Sequence, residues 1–288
     1  MEIQVGDVIA RKYTIAKCIG SGKFGCVYKG TNTKTNEKVA MKFENKTTSY
    51  KLLKRETTIL NYLYEHNCRN TPCVYWFGQI TDYVCIVMPF YECSLYEYSK
   101  IKKITEHQLD SMMIQCIHII ESIHINMVIH RDIKPHNFML KNGELFLIDF
   151  GLATFYINDN KMHIPNATGE YVTGTPRFIS QHIHDGYTPS RRDDLISLGY
   201  IYIYMFAHEL PWDSVSTDIS VSPHTNEIHI MHSKNIQRKD LKSPENIAIV
   251  CRQINSRIEN FCRFCNSYDY ASEPMYNSLC SLFVYTSN

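Results

Sequence analysis

The stretch Val128-Ile129-His130-Arg131-Asp132-Ile133-Lys134-Pro135-His136-Asn137-Phe138 constrains this chain more than any other. It holds a carboxylate, a Lys two residues later and an Asn five residues later, and Asp149-Phe150-Gly151 follows 17 residues after Asp132. H-R-D alone is weak, because three residues recur by chance. The longer set supplies the groups that phosphoryl transfer from a nucleotide needs. One carboxylate orients and deprotonates a hydroxyl, a Lys steadies the moving phosphate, and an amide and a second carboxylate hold Mg²⁺.

Companion elements stand upstream in order. Ile19-Gly20-Ser21-Gly22-Lys23-Phe24-Gly25-Cys26-Val27 reads G-x-G-x-x-G-x-V. In a dinucleotide-binding fold these glycines would open a helix. Here Cys26 to Gly30 resumes a strand pattern, so the loop reads as a hairpin lid over phosphates, with no Cβ between backbone amides and ligand. Val39-Ala40-Met41-Lys42 places a Lys on a strand. Glu56 follows 14 residues later in a helical pattern that puts Leu52, Leu53, Glu56, Ile59 and Leu60 on one side. A surface Glu and an ordinary strand Lys are the usual reading of one such pair; five elements in order make pairing of Lys42 with Glu56 the better one.

On these motifs the chain resembles the eukaryotic-type protein kinase superfamily and, within it, the casein kinase 1 family. The narrower resemblance rests on His163-Ile164-Pro165, Thr173-Gly174-Thr175-Pro176-Arg177-Phe178, the run from Ser190 to Tyr200, and Leu210-Pro211-Trp212. Ile179-Ser180-Gln181-His182 stands where most kinases carry A-P-E and that family has S-I-N. The runs Glu259 to Cys265 and Tyr276 to Phe283 resemble its last two helices. The similarity extends from about Val8 to Phe283 and is weakest over Asp213 to Ile236. The short chain and altered loop suggest a viral or compact-genome version.

The resemblance implies an α+β, bilobal fold: an N-terminal β-sheet lobe with one key helix over residues 1–91, and a larger, mainly helical lobe over 92–288. It implies ATP and Mg²⁺ as cofactors. Asp132 would be the catalytic base, Lys134 would steady the γ-phosphate as in Ser/Thr kinases, and Asn137 and Asp149 would bind Mg²⁺. Lys42, held by Glu56, would bind the α- and β-phosphates under the loop of Ile19, Gly20, Gly22 and Gly25. Val27, Ala40 and Met139 would sandwich the adenine, Met88 would be the gatekeeper, and main-chain groups of Pro89 and Tyr91 would face the base. Asp194 would cap the catalytic loop. For the apolar members, plain core packing is the competing reading.

Net charge is +1, so nothing electrostatic points to nucleic acid or a membrane surface. The eleven cysteines are odd in number and irregular in spacing, which fits free thiols in a reducing compartment. A zinc site from Cys68, Cys73, Cys262 and Cys265 is disfavoured, since one pair flanks a polar loop and the other lies in a helical run. Met1 to Asp7 is polar and acidic, so no signal peptide is expected. The apolar run Leu195 to Phe206 is too short to span a bilayer. The expectation is an intracellular, monomeric protein, cytoplasmic or nuclear.

Strands are expected at Tyr13–Ile19, Val27–Asn32, Lys38–Glu44, Val74–Gly78 and Val84–Met88, and a hinge at Pro89 to Glu92. Helices are expected at Ser94–Lys100, His107–Ile125 (capped by Thr105 with Gln108) and Arg192–Glu209. The family has basic residues after L-P-W that bind acidic or phosphorylated substrates. Here Asp213 to Ile230 has no Lys or Arg, and positive charge resumes at Lys234, Arg238 and Lys239. Protein partners with acidic or phosphorylated segments are expected nonetheless, with Arg177 as reader. A nucleotide-binding scaffold without transfer is the alternative; it would require loss of Lys42, Asp132, Asn137 or Asp149, and all four are present. A small-molecule phosphotransferase would lack the T-G-T-P-R-F segment.

Overall fold

The computed structural model describes residues 3–22, 25–47, 51–169, 172–215 and 236–284. The chain divides into two compact units, Met1–Ser94 with Phe138–Ala153, and Leu95–Asn137 with Thr154–Asn288.

The first unit is built on an antiparallel sheet of β1 (Val8–Ile9), β2 (Tyr13–Gly22), β3 (Gly25–Asn32), β4 (Lys38–Asn45), β5 (Trp76–Ile80) and β6 (Tyr83–Pro89), in the order β1-β2-β3-β4-β6-β5. Alternation in β4 decides its two faces. Val39, Met41 and Phe43 are buried, in a core with Tyr13, Ile15, Cys85 and Val87. Ala40 and Lys42 therefore point the other way. In register, Ala40 faces Met88, and Lys42 lies between Val27 and Ile86. Helix α1 (Leu52–Glu65) buries Leu53, Glu56, Ile59, Leu60 and Leu63, close to the stripe expected. Its first turn is held by the Glu44 carboxylate, which accepts from the Leu52 and Leu53 amides.

Strand β7 (Cys93–Ser94) pairs with β9 (Phe138–Lys141), which forms a hairpin with β10 (Glu144–Leu147) in the same unit. Several boundaries differ from the sequence reading by one to three residues. β5 begins two residues later than expected, and β6 runs through Pro89 rather than breaking before it. Pro89 lies at the strand end, where its missing N–H costs the ladder little.

The second unit is mainly helical: α2 (Leu95–Ile101), α3 (Glu106–Ile125), α4 (Gln181–His184), α5 (Arg191–Ala207), α6 (Pro244–Arg252), α7 (Ser256–Ser267) and α8 (Tyr276–Ser281), with the short pair β8 (Val128–Ile129) and β11 (Thr154–Phe155). Thr105 and Gln108 form the expected capping box on α3. Helix α5 is buried on nearly all sides beyond its charged first turn, which explains its mostly apolar run from Leu195 to Ala207. Among the described residues, no helix is long and apolar enough to cross a membrane. All eleven cysteines are free thiols, seven of them buried.

Candidate active site

Two charged clusters carry the residues singled out above. The first lies wholly in the first unit. Lys42 Nζ on β4 donates to Glu56 Oε2 of α1 at 2.8 Å and to Asp149 Oδ1 at 2.7 Å. Glu56 is almost fully buried, and its Oε1 accepts from the Phe150 amide at 3.3 Å. Burial works against a charge on Lys42, but Glu56 and Asp149 overcome it and hold its pKa above the usual lysine range. Burial also pushes the Glu56 carboxyl up, against the pull of Lys42. These directions oppose each other, and the geometry favours the charged pair, since Nζ bridges two carboxylates. Asp149 has left-handed backbone (φ 67°), a conformation that side chains other than Gly, Asn and Asp rarely adopt.

Val27, Ala40 and Met88 share the sheet face of Lys42. Met88 is buried, Val27 and Ala40 are half-buried, and Ile19 is 47% exposed on β2. Tyr91 is buried against Phe146, and Met139 lies on β9 opposite Phe146. The glycines of the loop differ in what they permit. A Cβ on Gly25 (φ +136°) would come within 1.8 Å of the Phe43 carbonyl oxygen, so Gly25 is required by the protein's own strand crossing. Among the described residues, nothing lies within 4 Å of where a Cβ on Gly22 would stand, and a Cβ on Gly20 would meet Val27 Cβ at 3.9 Å, which leaves room for a ligand. Lys23 and Phe24 lie outside the described residues.

The second cluster lies wholly in the second unit. Asp194 of α5 accepts from the His130 amide at 2.7 Å and the Arg131 amide at 2.9 Å, the cap expected of it. His124 Nε2 lies 3.0 Å from the same carboxylate, and Tyr276 Oη lies 2.8 Å from His124 Nδ1. Because the carboxylate can only accept, Nε2 carries the proton and Nδ1 accepts from Tyr276. Burial lowers the pKa of His124 and keeps its ring neutral. Burial also opposes the charge on Asp194, but the His124 hydrogen bond and the loop amides hold it below the usual carboxylate range.

On this frame the loop 130–137 presents Asp132. Oδ1 accepts from Thr175 Oγ1 at 2.7 Å and Thr175 N at 3.1 Å; Oδ2 accepts from Lys134 Nζ at 2.6 Å and Asn137 Nδ2 at 3.3 Å. Lys134 also reaches Thr175 Oγ1 at 3.1 Å. The Asn137 amide donates to the Asp132 carbonyl at 2.8 Å, which fixes its orientation as an oxygen ligand. Gly174 (φ +103°) lets the Thr175 segment close on the loop, since a Cβ there would meet Arg131 O at 2.6 Å.

A family model of the protein kinase domain matches residues 13–272. The chain belongs to the protein kinase family. Kinases of this family generally use ATP and Mg²⁺, and the chemistry of the residues fits both: in the first unit a cation bridging two carboxylates suits phosphates, and Asp149 there and the oriented Asn137 amide in the second unit are each a hard oxygen donor.

Sequence reasoning missed Thr175 as the hydroxyl on Asp132, and His124 with Tyr276 behind Asp194. No local spacing could reveal partners separated by 43 and 152 residues. Arg177, expected to read acidic or phosphorylated segments, donates through Nε to Asp213 Oδ1 at 2.7 Å and through Nη2 to Asp213 Oδ2 in a two-point pair. Lys239 pairs with Asp185, and Lys234 lies outside the described residues.

Proposed function

We propose that this kinase-family chain is a catalytically active Ser/Thr protein kinase of casein kinase 1 type. The observation that carries the reading is the setting of Asp132: its carboxylate already accepts a threonine hydroxyl at 2.7 Å, beside Lys134 at 2.6 Å. That distance is within reach for a base taking a hydroxyl proton. The hydroxyl of a substrate Ser or Thr donates to the Asp132 carboxylate beside the Thr175 hydroxyl; Asp132 receives its proton as the substrate oxygen bonds to the γ-phosphorus and the bond to the ADP leaving group breaks, and Lys134 offsets charge on the transferred phosphoryl group. Lys42 binds the ATP phosphates. Asn137 of the second unit and Asp149 of the first would each offer Mg²⁺ an oxygen donor, and the ion would supply charge neutralisation at the phosphates.

Acidic or phosphorylated substrates are supported by the surroundings of the exposed His136 ring. Burial of part of that ring lowers its pKa, and Lys134, Arg177 and Lys100 lower it further, with Glu97 opposing. Lys100 lies over the Tyr96 ring and Arg177 over the Tyr204 ring, and Tyr96 stacks on both His136 and Tyr204, so two cations flank one aromatic group here and favour an anionic peptide. Arg177 joins in by exchanging Asp213 for a phosphate or carboxylate, which weakens its discrimination.

The test is Mg²⁺-ATP transfer to dephosphorylated casein and to a phosphoprimed peptide, beside Asp132→Asn. Transfer to serine or threonine that Asp132→Asn abolishes supports the reading. Nucleotide binding with no transfer to either substrate would leave the scaffold reading in its place.

A further inference from the structure

Lys242 is fully buried, between a helical segment at 236–241 and α6. Nothing in the chemistry described so far uses it. Its Nζ donates to Pro176 O at 2.9 Å and Ile179 O at 2.7 Å, and stands 3.1 Å from His184 Nε2. It also lies over the rings of Trp212 and Tyr200, 4.9 and 5.3 Å from their centroids. Three acceptors and two aromatic faces are the surroundings an ammonium needs away from water. Burial pushes the Lys242 pKa down, and burial with the nearby Lys242 charge lowers His184 to about 3, so the imidazole is neutral and can accept.

The acceptors matter because of where they sit. Pro176 to Ile179 form a turn closed by Phe178 N and Ile179 N donating to Thr175 O at 2.8 and 3.2 Å. Trp212 Nε1 takes the Arg177 carbonyl at 2.7 Å. Three of the turn's carbonyls are thus held from behind by two side chains. Thr175, at the head of the turn, is the residue on Asp132.

We propose that Lys242 is a positioning residue for phosphoacceptor binding: by gripping the Pro176 and Ile179 carbonyls it fixes the turn that sets Thr175 against Asp132 and shapes the peptide platform. The proposal rests on the kinase reading for its substrate, but its mechanical part does not. An uncharged side chain of similar length leaves those carbonyls without donors, and the turn loses its register. Small displacements of groups that orient a reactant cost rate steeply.

The experiment compares wild type with Lys242→Met and Trp212→Phe. Peptide kcat/KM is expected to fall about tenfold or more for Lys242→Met, and less for Trp212→Phe, with KM for ATP unchanged. Amide exchange should rise in a fragment covering residues 172–184 and stay unchanged in one covering 38–60. If Lys242→Met does not fold, Lys242→Gln, which keeps two donor hydrogens, must show the same split in weaker form. Wild-type exchange within 172–184, or equal losses toward ATP and peptide, would overturn the proposal. The exchange measurement needs no transfer, so a failure of the kinase reading would show as an inactive wild type with the exchange result intact.

Discussion

Lys42, Glu56 and Asp149 make a cluster of three formal charges joined by two short contacts, whereas Asp132 receives four donor contacts, three of them from neutral groups. The first cluster is electrostatic: one cation neutralises two carboxylates, and its lysine is held charged by them. The second is steric and directional, with each carboxylate oxygen accepting two contacts. A cation held between carboxylates suits a group that must meet polyphosphate. A carboxylate fixed from several sides suits a base whose aim matters more than its charge. The supports differ too. The first cluster rests on strand register and one helix face. The second depends on α5, α3, α8 and the 174–179 turn together.

The largest expected effect would break this contrast outright. Asp132→Asn keeps the size and most contacts of the side chain but cannot take a proton. Its kcat should drop by about 10²- to 10⁴-fold, with ATP affinity unchanged by calorimetry. Lys42→Met should do the reverse for binding, weakening the nucleotide while leaving peptide KM alone. If both variants lost nucleotide affinity equally, the division of labour between the clusters would be wrong.

Next in size is Met88, buried on the sheet face of Lys42. Met88→Gly should cost roughly 2–5 kcal/mol in urea unfolding, because a cavity replaces a packed side chain. It should also admit ATP analogues with bulky N6 groups. Unchanged stability together with unchanged analogue use would place Met88 outside the nucleotide pocket.

Arg177 sharpens the comparison on the substrate side. Arg177→Gln should reduce kcat/KM for a phosphoprimed peptide by about tenfold, as loss of a charged two-point contact does, and affect an unprimed peptide less. Asp213→Asn should move the primed peptide the other way by releasing the guanidinium. Equal losses on both peptides for Arg177→Gln would make the Arg177–Asp213 pair a purely structural clasp.

The smallest effect appears only in acid. His184 ordinarily titrates near 6.5 and is lowered to about 3 by burial and Lys242. The unfolded chain therefore takes the proton first. The stability linked to this group is fully present above about pH 6.5 and is lost progressively as pH falls toward 3. His184→Gln, which keeps an acceptor for Lys242 without titrating, should flatten that slope in chemical denaturation at pH 7, 5.5 and 4.5. An identical slope would show that His184 is not neutral in the fold.

The sequence by itself determined the local elements and every residue whose partner lies at a fixed periodic offset. Alternation in β4 placed Ala40 and Lys42 on one face, the 3.6-residue period turned Glu56 inward, and the Thr105–Gln108 box set the start of α3. The spacing of Asp132, Lys134, Asn137 and Asp149 was legible because a tight loop and a short hairpin leave few ways to arrange them. The tertiary structure alone decided which side chains complete these groups. Thr175 on Asp132, Tyr276 behind His124, Asp213 on Arg177 and Lys242 under the 174–179 turn are contacts across 36 to 152 residues. No periodicity reports them. They form because a buried donor, acceptor or charge without a partner is costly, and the packed helices bring only certain partners within reach.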